Sequence, residues 1–334
     1  VGSPSFSRNS TAYLSDGTLV NTNLPRFEQG KFGKAVMVEE GTENLLINPF
    51  FSSGLSGWST QNATGDNKIY VTDGVVVIKA VNASPGLYQK VNLDVGTIVT
   101  VSILIRRTSG SIAPRLRWGA GPVIGEIEIS ENGQWVKYSA ITDVQGNGNL
   151  IIEPSIAGQA EYEIKAVQLE QKPYPTSFTP GTRSPETLTI PTAGVLNPQE
   201  GTVECWCILP NIPRNADILI DTANAWKGRI WLPFLTGGPI IVVYTSNVDR
   251  DVLVYEIPSQ YLNTWVYLAV TWNGSVKKVY FNGQLVASGT YTGTFDVTTP
   301  QFKIGANLNS LIDDLRISSR ARTDEEIATA YASG

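Results

Sequence analysis

Residues 265–272 alternate apolar side chains on both faces of an extended chain. Val266, Leu268, Val270 and Trp272 fall on one face, and Trp265, Tyr267, Ala269 and Thr271 on the other. A strand apolar on both sides belongs in the middle of a layered sandwich. Two Asn-Gly pairs follow, Asn273-Gly274 and Asn282-Gly283, and each predicts a tight hairpin with a type I′ turn, since both residues tolerate φ > 0. A second alternating pattern runs over 44–171. Within 98–107, Val99, Val101, Ile103 and Ile105 point one way, and Thr100, Ser102 and Arg106 the other with Leu104 among them, which predicts a half-buried strand. Only the end of the chain reads as helix. There Thr323 is the N-cap, Asp324 and Glu325 fill the first turn, and Glu326 stands at the capping-box position. The pattern therefore predicts an all-β chain of two β-sandwich domains, with an extended N-terminal segment and one short C-terminal helix.

Composition narrows the chemistry. The 334 residues suit about two domains, and 42% hydrophobic against 16% charged residues marks a globular chain. A net charge of −5 without a long basic run argues against nucleic acid or an anionic membrane as partner. No apolar run reaches the length of a membrane span, and VGSPS reads as a cut end, so localisation is not legible there. The chain has no histidine, which removes the commonest general base, the Ser-His and Cys-His nucleophile pairs and imidazole metal sites. Cys205 and Cys207 stand two apart on one strand face, where parallel Cβ vectors disfavour a disulfide. They read as small core residues.

The sequence carries three family resemblances. Gly201-Thr-Val-Glu-Cys-Trp, the Trp265 strand with its Asn-Gly hairpins, and Ile312-Asp-Asp-Leu-Arg-Ile followed by Asp324-Glu-Glu-Ile together resemble laminin-G-like members of the concanavalin-A-like lectin/glucanase superfamily. GKFGKAVMV resembles the opening strand of such domains. Asn48-Pro-Phe-Phe, Gly57-Trp58 and Tyr162-Glu-Ile-Lys-Ala-Val-Gln-Leu-Glu resemble jelly-roll carbohydrate-binding modules. Those modules usually carry a calcium-ligating Asp where this chain has Lys165, so no calcium is expected in that domain. Arg8–Tyr13, Pro25-Arg-Phe27 and Thr42–Leu46 resemble the leader of bacteriophage tail proteins. The implied organisation is a leader over 1–43 that includes the first strand of the lectin-like domain, an inserted jelly roll over 44–171, a return linker over 172–182 with three prolines in eleven residues, and a laminin-G-like sandwich over 183–334.

Few constellations suggest chemistry. Glu126-Ile-Glu-Ile-Ser-Glu131 superficially matches the strand that carries nucleophile and acid in retaining glucanases of the superfamily. It falls in the wrong domain, and pairing of Glu126 and Glu128 with Arg115 and Arg117 across strands accounts for it better. No catalytic residue is assigned. Asp313 is the metal candidate: the resemblance implies a structural calcium, while its placement on one face with Leu315 and Ile317 points it inward, where a buried carboxylate needs either a cation or several N–H donors. Trp226, Trp231 and Trp118 are the candidate carbohydrate-binding rings. Trp58, Trp135, Trp206, Trp265 and Trp272 occupy structural positions.

The expectation is a non-catalytic phage virion or tail protein that recognises host-surface glycans through its sandwiches. Its partners would be a bacterial surface or a plant or microbial polysaccharide, other virion proteins and further copies of itself, with no nucleic acid and no membrane insertion. It would be located in the virion, on the phage tail or surface. Two alternatives stand beside it: the carbohydrate-binding portion of a secreted, extracellular polysaccharide hydrolase or lyase, and a purely structural virion protein.

Overall fold

The computed structural model describes residues 3–210, 218–221, 229–235, 238–244, 252–295 and 299–334. Among these residues it is all-β with one short C-terminal helix, and the chain divides into two compact units, one formed by 1–41 with 184–334 and the other by 42–183.

In the first unit a seven-stranded sheet runs in the order Gln284–Thr290, Val276–Phe281, Trp265–Asn273, Glu200–Ile208, Ser310–Ser318, Lys34–Val38, Arg26–Gln29. The Trp265 strand is interior, flanked antiparallel by Glu200–Ile208 and Val276–Phe281. Its Val266, Leu268, Val270 and Trp272 enter a core shared with Val203, Cys205 and Cys207, and each fully buried large side chain contributes about 1.5–3 kcal/mol. Gly201 lies directly opposite Trp272, and a Cβ there would collide with the indole. The glycine of the GTVECW stretch thus makes room for the ring, which stacks on Phe295 at 4.5 Å and donates its N–H to Asn197 O at 3.0 Å. Cys205 and Cys207 are free and buried. The neighbouring Cys207 and then burial push the Cys205 thiol well up, so it stays protonated and unreactive.

The second hairpin has its expected turn, with Asn282 at φ 48° and Gly283 at φ 77°. The first departs from type I′. Only Gly274 takes positive φ, at 85°, because Asn273 stays in the strand and uses its side-chain oxygen to accept the Val276 N–H at 3.1 Å.

The segment 34–38 pairs with the strand near the far end of the chain, Val36 facing Ile312 and Val38 facing Ser310. The leader is tied down by charge. Glu186 accepts from Arg8 and Arg26 at 2.7 Å each, Arg26 also donates to Glu39 at 2.6 Å, and all four side chains are nearly excluded from water. Burial works against the Arg26 charge, but Glu39 and Glu186 outweigh it and hold the guanidinium protonated.

The opposing eight-stranded sheet includes Ser5–Ser7, Thr187–Pro191, Gln301–Ile304, Arg229–Trp231, Gly238–Tyr244 and Val252–Glu256. Helix α1 (Asp324–Ala332) begins on the expected capping box, Thr323 Oγ1 accepting the Glu326 N–H and the Glu326 carboxylate accepting the Thr323 N–H. It seats Ile327 and Tyr331 on Trp206, Tyr267 and Tyr280, closing the outer side of the seven-stranded sheet.

The second unit packs two five-stranded sheets face to face. One, the front sheet, runs Val123–Glu126, Pro114–Trp118, Gly148–Pro154, Gly86–Val91, Ser59–Gln61. The other, the back sheet, runs Val136–Gln145, Val95–Gly110, Ala160–Glu170, Val75–Ala80, Lys68–Thr72. Val99, Val101, Ile103 and Ile105 point into the core as expected. Thr100 and Ser102 are also fully buried, so this strand is covered on both faces rather than one. The cover includes the segment expected to act as a return linker. Lys172 O accepts from Thr100 Oγ1 at 2.7 Å, the Thr176 N–H donates to Glu170 Oε1 at 2.8 Å, and the Thr179 N–H donates to Gln168 Oε1 at 2.8 Å. Its prolines fix an extended strap laid on the back sheet, not a free tether.

Candidate ligand-binding faces

Each sandwich has one outer face closed by a later stretch of its own chain and one that keeps exposed side chains. In the second unit the exposed face belongs to the front sheet. Cross-strand pairing sets two rows on it. Arg115 lies between Glu126 and Glu153, while Arg117 and Tyr88 flank Ile151, with Ser59 beyond Tyr88. Glu153 is the centre, only 3% exposed although it points outward. Its Oε1 accepts from Arg115 Nη2 at 2.7 Å and from Arg117 Nε at 3.0 Å, and its Oε2 accepts from Gln61 Nε2 at 3.1 Å. Gly86, the residue opposite Gln61, leaves the space this amide occupies, since a Cβ there would lie 2.8 Å from Gln61 Nε2. Burial pushes the Glu153 carboxyl up, but Arg117 and Arg115 reverse this and hold it below its usual value, so it stays ionised at neutral pH. A fixed anion thus locks two partly exposed guanidiniums on the same sheet face as a half-buried tyrosine ring, one strand away. Such a constellation offers planar donors and an apolar ring face at preset positions, which is what recognition of a hydroxylated ring uses.

On the eight-stranded sheet of the first unit, Ile230, Leu232, Ile241 and Val243 enter the core. Trp231, Arg229, Val252 and Val254 therefore stand on the outer side, with Val254 opposite Val242 and Val242 opposite Trp231. The Arg229 guanidinium sits 5.4 Å from the Trp231 ring centre. Trp231 is half-buried, one of two expected rings that the structure describes. Trp226 lies outside the described residues.

Trp118 is placed differently from the expected groove rim. It is 5% exposed, packs in the core and donates its indole N–H to Gly146 O at 3.1 Å. The alternation of PRLRW puts Leu116 and Trp118 inward and Arg115 and Arg117 outward, so the tryptophan supports the face from beneath. Glu126 and Glu128 are exposed. Arg115 does oppose Glu126, yet both guanidiniums bridge to Glu153 instead. Lys165, at the position of the modules' calcium ligand, lies over the Trp135 ring at 4.3 Å, with Arg106 at 4.8 Å from the same ring. Glu153, Tyr88 and Gln61 were not singled out from sequence. The available signal was a carboxylate in one predicted strand near two arginines alternating on another.

Asp313 is re-aimed by a β-bulge. Glu204 pairs with Arg316 but Trp206 pairs with Asp313, so one extra residue enters the Ser310–Ser318 strand at Asp314, whose φ is 47°. The bulge breaks the expected parity: Ile312 and Leu315 face the core while Asp313 stands on the Trp206 side. Asp313 Oδ2 accepts the Phe32 N–H at 2.9 Å and Oδ1 the Asp314 N–H at 2.8 Å. Gly30 permits this approach, since a Cβ there would lie 2.6 Å from Oδ2. Calcium takes six to eight oxygens, and among the described residues no three acidic, His or Cys side chains converge to hold an ion. An ion at Asp313 would have to displace these two N–H donors.

No curated protein matches this chain. Among solved structures, the botulinum neurotoxin serotype D binding domain is similar at 18% identity and a TM-score of 0.35, over 44% of this chain and 40% of that one. Domain 4 of AbnA, a GH43 extracellular arabinanase from Geobacillus stearothermophilus solved with arabinotriose, is similar at 20% identity and a TM-score of 0.35, over 43% of this chain and 72% of that one. TmCBM61, solved with beta-1,4-galactotriose, is similar at 19% identity and a TM-score of 0.30, over 39% of this chain and 99% of that one. The similarity to the neurotoxin domain thus spans less than half of its length. No helix among the described residues is long and apolar enough to cross a membrane. A family model described as the concanavalin A-like lectin/glucanases superfamily matches residues 183–328. That segment is accordingly similar to the laminin-G-type domains of the superfamily.

Proposed function

We propose that this chain is a non-catalytic glycan-binding protein of a phage virion or tail, which recognises carbohydrate on a bacterial surface. The observation that carries the glycan reading is the exposed face of the front sheet, where Glu153 fixes Arg115 and Arg117 on the same face as Tyr88, across one strand. Guanidinium forks match pairs of neighbouring hydroxyls, and a ring next to them stacks on the apolar side of a pyranose. Glu153, neutralised by two arginines and covered by Gln61, is placed to organise donors rather than to transfer a proton. Trp231 supplies a separate ring contact on the lectin-type unit. One ring per face makes a shallow, weak site, so display in several copies would raise avidity by about 10² to 10⁴. The tail setting rests on the resemblance of the leader.

The test is a glycan and cell-surface binding array with the full chain, followed by titration of the best glycan. Tyr88→Ala and Arg117→Ala should each weaken binding about tenfold, which is about 1.4 kcal/mol, while Trp231→Ala should reduce cell binding. Tyr88→Ala should leave the melting temperature close to wild type. Unchanged glycan affinity in Tyr88→Ala would overturn the placement of the site, and release of reducing sugar by the wild-type protein would overturn the non-catalytic reading. Competition with phage adsorption separates the tail setting from the alternative of a module attached to a secreted hydrolase or lyase.

A further inference from the structure

The lectin-type unit is not closed at one side. Its two sheets both end there, one on the Ser5–Ser7 strand and the other on Arg26–Gln29. Inward rows from each sheet approach this seam: Phe6 with Leu188 and Ile304, and Phe27 with Val36 and Ile312. Ile304 and Ile312 are buried in the core, yet Phe27 remains 48% exposed although it points inward. Between the rows lies a cleft of about 530 Å³, within the range of small-molecule sites. Nine of its thirteen lining residues are apolar, and the other four are Asn23, Lys34, Asp313 and Asp314, with the Asp313 carboxylate turned away toward the Phe32 N–H.

The charges at the polar end balance. Asp314 is neutralised by Arg316 from outside the cleft at 2.6 Å and Lys34 in the lining offsets Asp313, so a bound head group need carry no net charge. The walls also constrain the body of the ligand. A bare sugar would bury hydroxyls against Phe6, Leu188 and Val36 with nothing to accept or donate, which disfavours it.

We infer that this seam is a binding site for a neutral amphiphile, with an alkyl or aryl body between Phe6 and Phe27 and a hydroxyl- or amide-bearing head toward Lys34 and the Asp313–Asp314 bulge. The site is independent of the front-sheet face in the other unit.

A homologous series of methyl, hexyl and octyl β-glucosides, titrated calorimetrically into the full chain below their micelle concentrations, reads this directly. Each methylene taken from water is worth about a fourfold gain in affinity. Octyl glucoside should therefore bind about tenfold or more tighter than hexyl, with methyl glucoside showing no binding at the seam. Leu188→Trp, which fills the cleft, should remove octyl glucoside binding. If that variant does not fold by circular dichroism, Phe27→Ser serves in its place, because its side chain is half exposed, and it should weaken binding several-fold. Tyr88→Ala should leave octyl glucoside affinity unchanged even if it abolishes glycan binding. Affinity independent of chain length, wild-type binding in the seam variants, or loss of detergent binding in Tyr88→Ala would each overturn the assignment.

Discussion

Glu186→Gln should unfold the lectin-type unit well below the wild-type melting temperature. Glu186 receives four donors: Arg8 Nη1 and Arg26 Nε on Oε1, and Arg26 Nη2 and the Glu39 N–H on Oε2. A glutamine keeps one acceptor oxygen and turns an NH₂ group toward two of those donors, so two charge-assisted bonds are lost, at about 1.5–3 kcal/mol each. It also takes the Glu186 carboxylate from both buried guanidiniums, leaving Arg26 with Glu39 as its carboxylate partner, and breaking a buried ion pair by removing one partner costs about 3–5 kcal/mol. The two routes agree on about 3–5 kcal/mol. For a unit of about 190 residues, at about 2–4 °C per kcal/mol, that is a fall of about 6–20 °C. Differential scanning calorimetry of the full chain should show one transition falling by this amount while the transition of the 42–183 unit keeps its position. A variant melting within about 2 °C of wild type, which corresponds to less than about 1 kcal/mol, would refute the claim that this cluster is both desolvated and dependent on Glu186.

Two further outcomes are expected. The Arg320 side chain and the Thr323 N–H hold the exposed Glu326 carboxyl at about 2, below its usual 4.5. Because the folded value is the lower one, its support of helix α1 is complete above about 4.5 and is lost as pH falls toward about 2. Amide-exchange protection at Ile327 should fall across that window in wild type and show a flatter profile in Glu326→Gln, which retains the capping box; identical profiles would count against the ion pair. Chelation should leave the melting temperature unchanged, since Asp313 already accepts the Phe32 and Asp314 N–H groups. A calcium-dependent rise abolished by Asp313→Asn, of the size of the 2.7 kcal/mol or so that an ion at 100 times its dissociation constant supplies, would show that a metal competes for those lone pairs.

Local pattern carried much of the fold. Val266 to Trp272 are buried along one face because strict alternation, once a strand is central, leaves little freedom. Asn282-Gly283 fixes its turn through backbone sterics that act within two residues. The capping box at Thr323 is equally local. Failures arose where distant chain decides. Thr100 reads as solvent-facing until the 172–179 strap covers it. Asn273 takes its conformation from a side-chain hydrogen bond to Val276 rather than from the turn that Asn-Gly prefers. Asp313 changes face because a single inserted residue at Asp314 shifts the phase of a period-two pattern, and periodicity alone holds no mark of where a bulge falls.

The candidate face was less legible for a related reason. Aromatic residues are the usual sequence sign of a sugar platform, but in this chain the large rings serve the cores: Trp118 beneath the front sheet, Trp272 against Phe295, Trp206 under helix α1. What the front sheet presents instead is polar, and its meaning depends on three strands being adjacent. Glu153 gains its role because Pro114–Trp118 brings Arg115 and Arg117 to one side and Ser59–Gln61 brings Gln61 within reach on the other. Each of those residues alone is an ordinary solvated strand residue. Together they form a buried anion with outward donors, an arrangement whose cost in desolvation is offset only by its partners. Removing Arg115 and Arg117 together should therefore raise the Glu153 carboxyl toward protonation and collapse the donor array, a coupling that no single strand of the sequence encodes.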